Sequence, residues 1–194
     1  MVRLCTALGI VKPIVLGQSF GGFVAQRYIA RHAGHPAKVI LSSTSARLSL
    51  PRKLAMFERL GGRQARNAAE RFWTTPDATN WAEYCRICRP LYNRTAADAA
   101  AAQRTRFKPE ILFHWAAGEQ QTMDLLPGLA AAQCPVLVMA GALDPVCPLA
   151  DAEDIAAALP AQWRQFERFA DCGHGVWRDD PAAALSVLRR FIGG

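Results

Sequence analysis

A Gly-Gln-Ser-Phe-Gly pentapeptide at residues 17–21 separates a short apolar run, residues 14–16, from a helix-like segment, residues 23–29. This order predicts a strand, a tight turn and a helix, with Ser19 at the turn. Glycines on either side of the serine let the strand and the helix pass closely, because glycine has no Cβ atom to collide. The amide of Phe20 is expected at the helix N-terminus, where it can donate to an anion.

Two more polar residues follow predicted strands further along the chain. Asp144 comes after residues 135–141, a continuous apolar run ended by glycine that is typical of a buried parallel strand. Residues 163–169 predict another strand, and His174 follows it between two glycines, which we interpret as freedom to swing toward a hydroxyl. Because the carboxyl ends of parallel strands meet at one edge of a sheet, both residues are expected near Ser19.

A serine, a histidine and an aspartate in this arrangement predict nucleophilic catalysis. The Ser19 hydroxyl is a poor nucleophile until His174 takes its proton, and Asp144 would hold the other ring nitrogen of the histidine. Each residue also has a structural interpretation. Ser19 is compatible with an ordinary glycine-rich turn, Asp144 with a turn before Pro145, and His174 with a structural loop histidine.

The motifs at residues 17–22, 141–146 and 173–175 resemble the α/β-hydrolase family, in the branch of proline iminopeptidases and related cap-bearing serine hydrolases. The resemblance covers the whole chain, and the order serine, aspartate, histidine is that of the family. It implies an α/β fold with a partial parallel sheet, equivalent to the family's strands five to eight. It also implies Ser19, Asp144 and His174 as the catalytic residues, and the Phe20 amide as an oxyanion donor.

The family normally has four further strands before the strand that leads to the serine turn, together with a loop that carries a second oxyanion amide. Here only residues 1–13 precede that strand, and they resemble the helix leading into it, with Gly9 at its end. We therefore expect a truncated product or a piece of a longer enzyme, with an unpaired apolar edge at residues 14–16. A missing N-terminal segment or a dimer would cover this edge and complete the sheet. A catalytically silent fragment is the alternative to an active enzyme.

The chain divides into three predicted parts. Residues 1–46 hold the first part of the core, with the serine turn, and residues 129–194 hold the second part, with the aspartate and histidine loops. Between them, residues 47–128 have helical spacing, including a segment at 96–106, and lack strand patterns. The resemblance implies that this insertion is a helical cap over the active site.

The insertion is rich in aromatic residues, most of which are expected to form its own core. Phe113, His114 and Trp115 are the first candidates to face a substrate, although His114 is also compatible with a packed or surface position. An apolar pocket favours hydrophobic acyl or prolyl groups. An aminopeptidase needs a carboxylate for the substrate amine, and Glu119 is the best candidate, followed by Glu83; either is also compatible with a solvated helix charge.

Composition narrows the function further. The net charge is +7, but the arginines are scattered and form no basic run suited to nucleic acid. No apolar run approaches the length of a membrane span and no signal-peptide pattern begins the chain, so a cytoplasmic protein is expected. Six cysteines fit buried thiols, and the pair Cys85 and Cys88 lacks a second ligand pair for zinc.

The sequence therefore predicts a serine hydrolase that needs no cofactor or metal. Its partner would be a small-molecule ester or a short peptide, cleaved at the ester or at an N-terminal, prolyl-type peptide bond through an acyl-enzyme. A cofactor-free acyltransferase or perhydrolase with the same three residues is a further alternative.

Overall fold

The structure is a computed structural model that describes residues 1–96 and 99–193. Four parallel strands form one sheet in the order β1–β2–β3–β4. They are β1 (Ile14–Gln18), β2 (Lys38–Ser42), β3 (Val136–Gly141) and β4 (Arg164–Phe169). Strands β1, β3 and β4 begin and end within two residues of the segments predicted for them, and the predicted α/β class with a parallel sheet is confirmed.

Ten α-helices are described around this sheet. Two of them, α1 (Val2–Ala7) and α2 (Phe20–Arg31), flank β1. The other eight follow β2: α3 (Leu50–Thr74), α4 (Ala78–Ile87), α5 (Ala99–Arg104), α6 (Pro109–Ala117), α7 (Leu126–Leu129), α8 (Leu149–Ala158), α9 (Val176–Asp179) and α10 (Pro181–Gly193). The predicted helix at residues 96–106 extends in part over residues 97 and 98, which lie outside the described residues. Among the described residues, no helix combines the length and apolar character needed to cross a membrane.

Each face of the sheet has its own hydrophobic core. On one face, side chains of β1, β2 and β3 such as Val15, Val39 and Val138 pack with α2 and α8. On the other face, Ile40 and Met139 pack with residues of α9 and α10. Every residue of β3 is buried, which explains why its sequence is a continuous apolar run. At β1, which forms one edge of the sheet, Ile14 and Leu16 are exposed.

Helices α3 to α6 lie between β2 and β3 in the chain. We call residues 47–128 the helical insertion. An isolated antiparallel bridge between Arg47 and Asp124 joins its two ends, and the amide of Leu125 donates to the carbonyl of Ala46 at 3.0 Å. Helix α3 is kinked at Gly62, whose φ of 69° is non-helical. A third hydrophobic cluster joins aromatic residues of the insertion to Val146 and Cys147 of the core segment.

Candidate active site

Ser19 lies at a strained turn between β1 and α2. Its φ is 51° and its ψ is −117°, a conformation that non-glycine residues rarely adopt. Two contacts, one from the last residue of β2 and one from the segment after it, hold this turn. The Ser19 amide donates to the carbonyl of Ser42 at 3.0 Å, and the Thr44 hydroxyl donates to the carbonyl of Ser19 at 2.9 Å. Such backbone strain persists only where the surroundings determine it, and it clusters at functional sites.

The glycines around Ser19 differ in what they do. A Cβ atom on Gly17 would collide with the carbonyl of Gly21, so the strand and helix do pass as closely as the sequence predicts. A Cβ atom on Gly21 would meet nothing within 4 Å. The crowded second position is Gly22, where a Cβ atom would collide with the side chain of Thr44. The prediction that Gly21 is needed for close packing was therefore wrong by one residue.

Ser19, His174 and Asp144 form a chain of hydrogen bonds. The Nε2 atom of His174 lies 3.0 Å from the Ser19 hydroxyl, and its Nδ1 atom lies 2.9 Å from Oδ2 of Asp144. In a neutral histidine with the proton on Nδ1, Nδ1 donates to the carboxylate and Nε2 accepts from the hydroxyl. The three side chains follow β1, β3 and β4, so the parallel sheet brings together residues that are far apart in the sequence.

The carboxylate of Asp144 is fully buried and has a defined orientation. Its Oδ1 atom accepts from the amides of Val146 at 2.7 Å and Cys147 at 2.9 Å, which leaves Oδ2 for His174. Three hydrogen bonds to a buried carboxylate satisfy the charge that burial would otherwise penalise. The turn that Asp144 starts therefore orients the same carboxylate toward the histidine.

The loop of His174 is held by the helical insertion. The His174 amide donates to the carbonyl of Tyr92 at 2.6 Å, and the two rings contact edge to face with centroids 5.6 Å apart. A Cβ atom on Gly173 would collide with the same Tyr92 carbonyl. Only 13% of the His174 side chain is exposed. Gly173 therefore leaves room for the backbone of Tyr92. The contacts hold His174 in place, whereas the sequence had suggested that it is free to swing.

Asp179 fastens that loop to the insertion from the other side. Its Oδ2 atom accepts from the amide of Gly173 at 2.8 Å, and its Oδ1 atom accepts from the amides of Arg94 and Thr95 at 3.0 Å each. The Thr95 hydroxyl adds a fourth bond at 2.8 Å. Partial burial alone would raise the pKa of Asp179, but these hydrogen bonds more than offset it, and the pKa lies below its ordinary value.

Phe20 is the first residue of α2, so its amide has no acceptor within the helix. The amide adjoins the Ser19 hydroxyl at the positive end of the helix dipole, the position that the sequence predicts for an oxyanion donor. Its aromatic ring is half-exposed and contacts Trp115 edge to face, with centroids 5.2 Å apart.

A cavity of about 230 Å³ opens between the insertion and the end of the sheet, and Ser19 and His174 are on its wall. The rest of the wall is largely aromatic and apolar, with a few polar groups. Its other residues are Phe20, Phe23, Ser45, Lys53, Trp73, Trp81, Arg89, Tyr92, Phe107, Leu112, Trp115, Gln120, Val146 and Cys147.

Of the four predicted substrate residues, the structure has only Trp115 on this wall. Phe113 packs in the insertion's own core, 6.0 Å from Phe72, and His114 is exposed. Glu119 is also exposed and pairs with Arg27 of α2. Three consecutive helical residues point in directions about 100° apart, so Phe113, His114 and Trp115 cannot all face one cavity.

Lys53 is one of the wall residues that the sequence did not predict, and it is a buried charged one. It is only 5% exposed, and its Nζ atom lies 3.9 Å from the centre of the Trp73 ring. Burial lowers the pKa of the Lys53 ammonium, although the nearby Cys147, Asp151 and Asp144 oppose the shift. One signal was available. Lys53 precedes the fully buried Phe57 by four residues on a predicted helix, and so shares its face.

Three potential metal ligands also meet here. The ligand atoms of Asp144, Cys147 and His174 lie within 4.8 Å of one another. A metal would require the Cys147 thiolate, whereas burial and then the charge of Asp144 raise the pKa of that thiol. It would also compete with the hydrogen bond between His174 and Asp144.

The parallel sheet, its flanking helices and the serine turn after a strand define a protein of the α/β-hydrolase fold. A family model described as serine aminopeptidase, S33, matches residues 5–181. The chain therefore belongs to the serine aminopeptidase S33 family of hydrolases. None of the curated proteins matches the sequence significantly.

Solved structures with the same fold include enzymes of different specificities. A proline iminopeptidase from Mycobacterium smegmatis is 20% identical with a TM-score of 0.71, and the match covers 98% of this chain and 68% of that one. An esterase from Thermogutta terrifontis is 23% identical with a TM-score of 0.65, covering 97% and 68%. An esterase from Exiguobacterium antarcticum is 17% identical with a TM-score of 0.64, and the match covers 100% of this chain and 71% of that one. At these identities the likeness shows the fold alone.

Proposed function

We propose that this protein is a serine hydrolase that cleaves a small ester through an acyl-enzyme. The observation that carries the proposal is the hydrogen-bond chain from Asp144 through His174 to Ser19, with distances of 2.9 and 3.0 Å. Both distances lie within the range that proton transfer between a nucleophile and its base requires. Membership of a hydrolase family supports the same reaction class.

The reaction would proceed in two halves. In the first, the Ser19 oxygen forms a bond to the ester carbonyl carbon while His174 takes the hydroxyl proton. The carbonyl oxygen becomes an oxyanion near the Phe20 amide, and the alcohol leaves with the proton from His174. In the second half, water gives its proton to His174 and attacks the acyl-enzyme. The acid is then released and the Ser19 hydroxyl restored.

The charge on the cavity wall supports an ester rather than a peptide with a free amine. An amine would need a carboxylate on the wall, and none of the described wall residues is an aspartate or a glutamate. The two glutamates expected to serve this purpose pair elsewhere, Glu119 with Arg27 and Glu83 with Arg71. The wall instead presents the cations of Lys53 and Arg89.

Labelling with a fluorophosphonate probe tests the proposal, because the probe reacts only with an activated serine. We expect the full chain to be labelled and Ser19→Ala to lose all labelling. Ser186→Ala, which removes an exposed hydroxyl on α10, is the matched control and should label like the unmodified chain. Labelling that survives in Ser19→Ala, or folded protein that never labels, would contradict the proposal and favour a catalytically silent protein.

The same preparations separate the two substrate classes. p-Nitrophenyl butyrate should be hydrolysed, and prolyl-p-nitroanilide should be cleaved with a far lower kcat/KM, since the wall offers its amine no counter-charge. A preference for the anilide would leave the serine mechanism intact but overturn the choice of an ester.

A further inference from the structure

The Lys53 ammonium is placed like a ligand-binding group rather than a surface charge. Lys53 lies on α3, is 5% exposed, and contributes to the same cavity wall as Ser19 and His174. Its Nζ atom makes a cation–π contact with Trp73, 3.9 Å from the centre of the ring. That contact orients the ammonium, since a cation over an indole ring is attracted by the ring electrons.

Within residues 1–96 and 99–193, no hydrogen bond or ion pair within 4.0 Å takes the Lys53 ammonium. The two nearby carboxylates are committed to other groups. Asp144 accepts from His174 and from two backbone amides, and Asp151 pairs with Arg52 at 2.9 Å. A buried charge without a partner is costly, and such charges are normally paired or neutralised. Among the described residues, the Lys53 ammonium on the cavity wall therefore has no direct ion-pair partner, although Asp144 and Asp151 act on it from further away.

The rest of the described wall supplies no anion for the Lys53 ammonium. No described wall residue is acidic, Arg89 adds a second cation, and the buried Cys147 thiol is held in its neutral form because burial raises its pKa. A lysine with a merely structural role would also lie against apolar atoms, but it would not need to border the space beside the reactive serine.

We propose that Lys53 binds a carboxylate at the far end of the substrate's acyl chain. The inference rests on the proposed esterase function and names its substrate class, half-esters of dicarboxylic acids. The acyl chain remains bonded to Ser19 while the alcohol leaves, so a buried group beside the serine recognises the part that stays. A single buried ammonium matches the charge of one carboxylate.

Matched acyl chains test this directly. Mono-p-nitrophenyl adipate and p-nitrophenyl hexanoate differ mainly by a terminal carboxylate, and their kcat/KM ratio measures the preference for the anion. We expect the unmodified protein to prefer the adipate, and Lys53→Met to lower the ratio by roughly tenfold or more, as for loss of a charge-assisted hydrogen bond. Lys38→Met is the matched control. Lys38 bonds the carbonyl of Phe191 outside the cavity, and its loss should leave the ratio unchanged.

Binding to Ser19→Ala separates this proposal from the esterase proposal, because binding needs no turnover. Titration calorimetry should show monoethyl adipate binding to Ser19→Ala and losing affinity in the double variant with Lys53→Met. That result would support the anion site even if no ester were hydrolysed. A ratio in Lys53→Met within about twofold of the original would overturn the proposal. If Lys53→Met does not fold, tighter binding of diethyl adipate than monoethyl adipate to Ser19→Ala would overturn it.

Discussion

At the scale of single residues, the turn at Ser19 depends on what its neighbours leave room for. Ser19 adopts a positive φ, and the Thr44 hydroxyl stabilises this strained conformation by donating a hydrogen bond to the Ser19 carbonyl. Gly22 is the residue that lets Thr44 come close enough to do so. The position of Ser19 is thus set by a side chain from the segment after β2 as well as by its own turn.

Two neighbouring glycines give a matched prediction. In Gly22→Ala the new methyl group would collide with Thr44, so we expect the free energy of unfolding to fall by about 1–3 kcal/mol, as for overpacking. Gly21→Ala meets nothing within 4 Å and replaces a helical glycine, so it should be neutral or stabilise by up to about 1 kcal/mol. Urea unfolding measures both. Equal stability of the two variants would refute this account of the turn.

The residues of the site were predictable to different degrees. Ser19, Asp144 and His174 each follow a predicted strand, and strand ends in a parallel sheet share one edge, so their proximity could be expected from sequence. Glu119 could not be assigned in this way. Whether a charge on a short helical segment meets solvent, a partner such as Arg27, or a cavity depends on how helices pack, which periodicity does not encode.

At the scale of elements, the histidine loop and the segment after the short helix Arg89–Leu91 are joined through Asp179. Its carboxylate accepts from three backbone amides and one hydroxyl across these two segments. Together with the bond from the His174 amide to Tyr92, these contacts fix the loop from both sides. The insertion therefore contributes to the position of His174 as well as to the cavity wall.

Removing the hydrogen bonds of the Asp179 carboxylate gives a pH-dependent prediction. Asp179→Ala should lower the free energy of unfolding by about 1–2 kcal/mol at pH 7 and reduce kcat more than it raises KM, because His174 loses its support. The folded pKa of Asp179 lies below its ordinary value of 3.8, so its stabilisation is present above that pH and lost as pH falls through the folded pKa. The difference in free energy of unfolding between Asp179→Ala and the unmodified protein should therefore become smaller below pH 3.8. A deficit that is the same at pH 3 and pH 7 would argue against this role.

The elements themselves were largely readable from sequence. Strands β1 and β3 lie in short apolar runs that follow a proline, and β3 ends at a glycine, so their positions could be expected from sequence. The paths of α3 and α6 over the sheet were not readable. The side of α6 that faces the cavity depends on contacts between aromatic side chains distant in sequence, such as Phe72 with Phe113.

At the scale of the whole molecule, ion pairs also join the insertion to the core. Arg52 of α3 reaches two carboxylates of α8, Asp151 at 2.9 Å and Asp154 at 2.7 Å. Burial raises the pKa of Asp151 even though Arg52 opposes the shift, whereas the bond from Arg52 lowers the pKa of Asp154. Arg52 thus stabilises one carboxylate that would otherwise be costly to bury.

The last prediction compares this tie with an exposed ion pair. Arg52→Met leaves the buried Asp151 without its cation and should lower the free energy of unfolding by about 1–3 kcal/mol. Arg168→Met breaks the exposed pair with Glu153 and should cost about 0.5 kcal/mol or less. Because the folded pKa of Asp151 lies above 3.8, its ionisation costs stability as pH rises past that value, so the Arg52→Met deficit should be larger at pH 7 than at pH 4. Urea unfolding at both pH values measures this, and similar losses in the two variants would mean that Arg52 does not stabilise the contact between the insertion and the core.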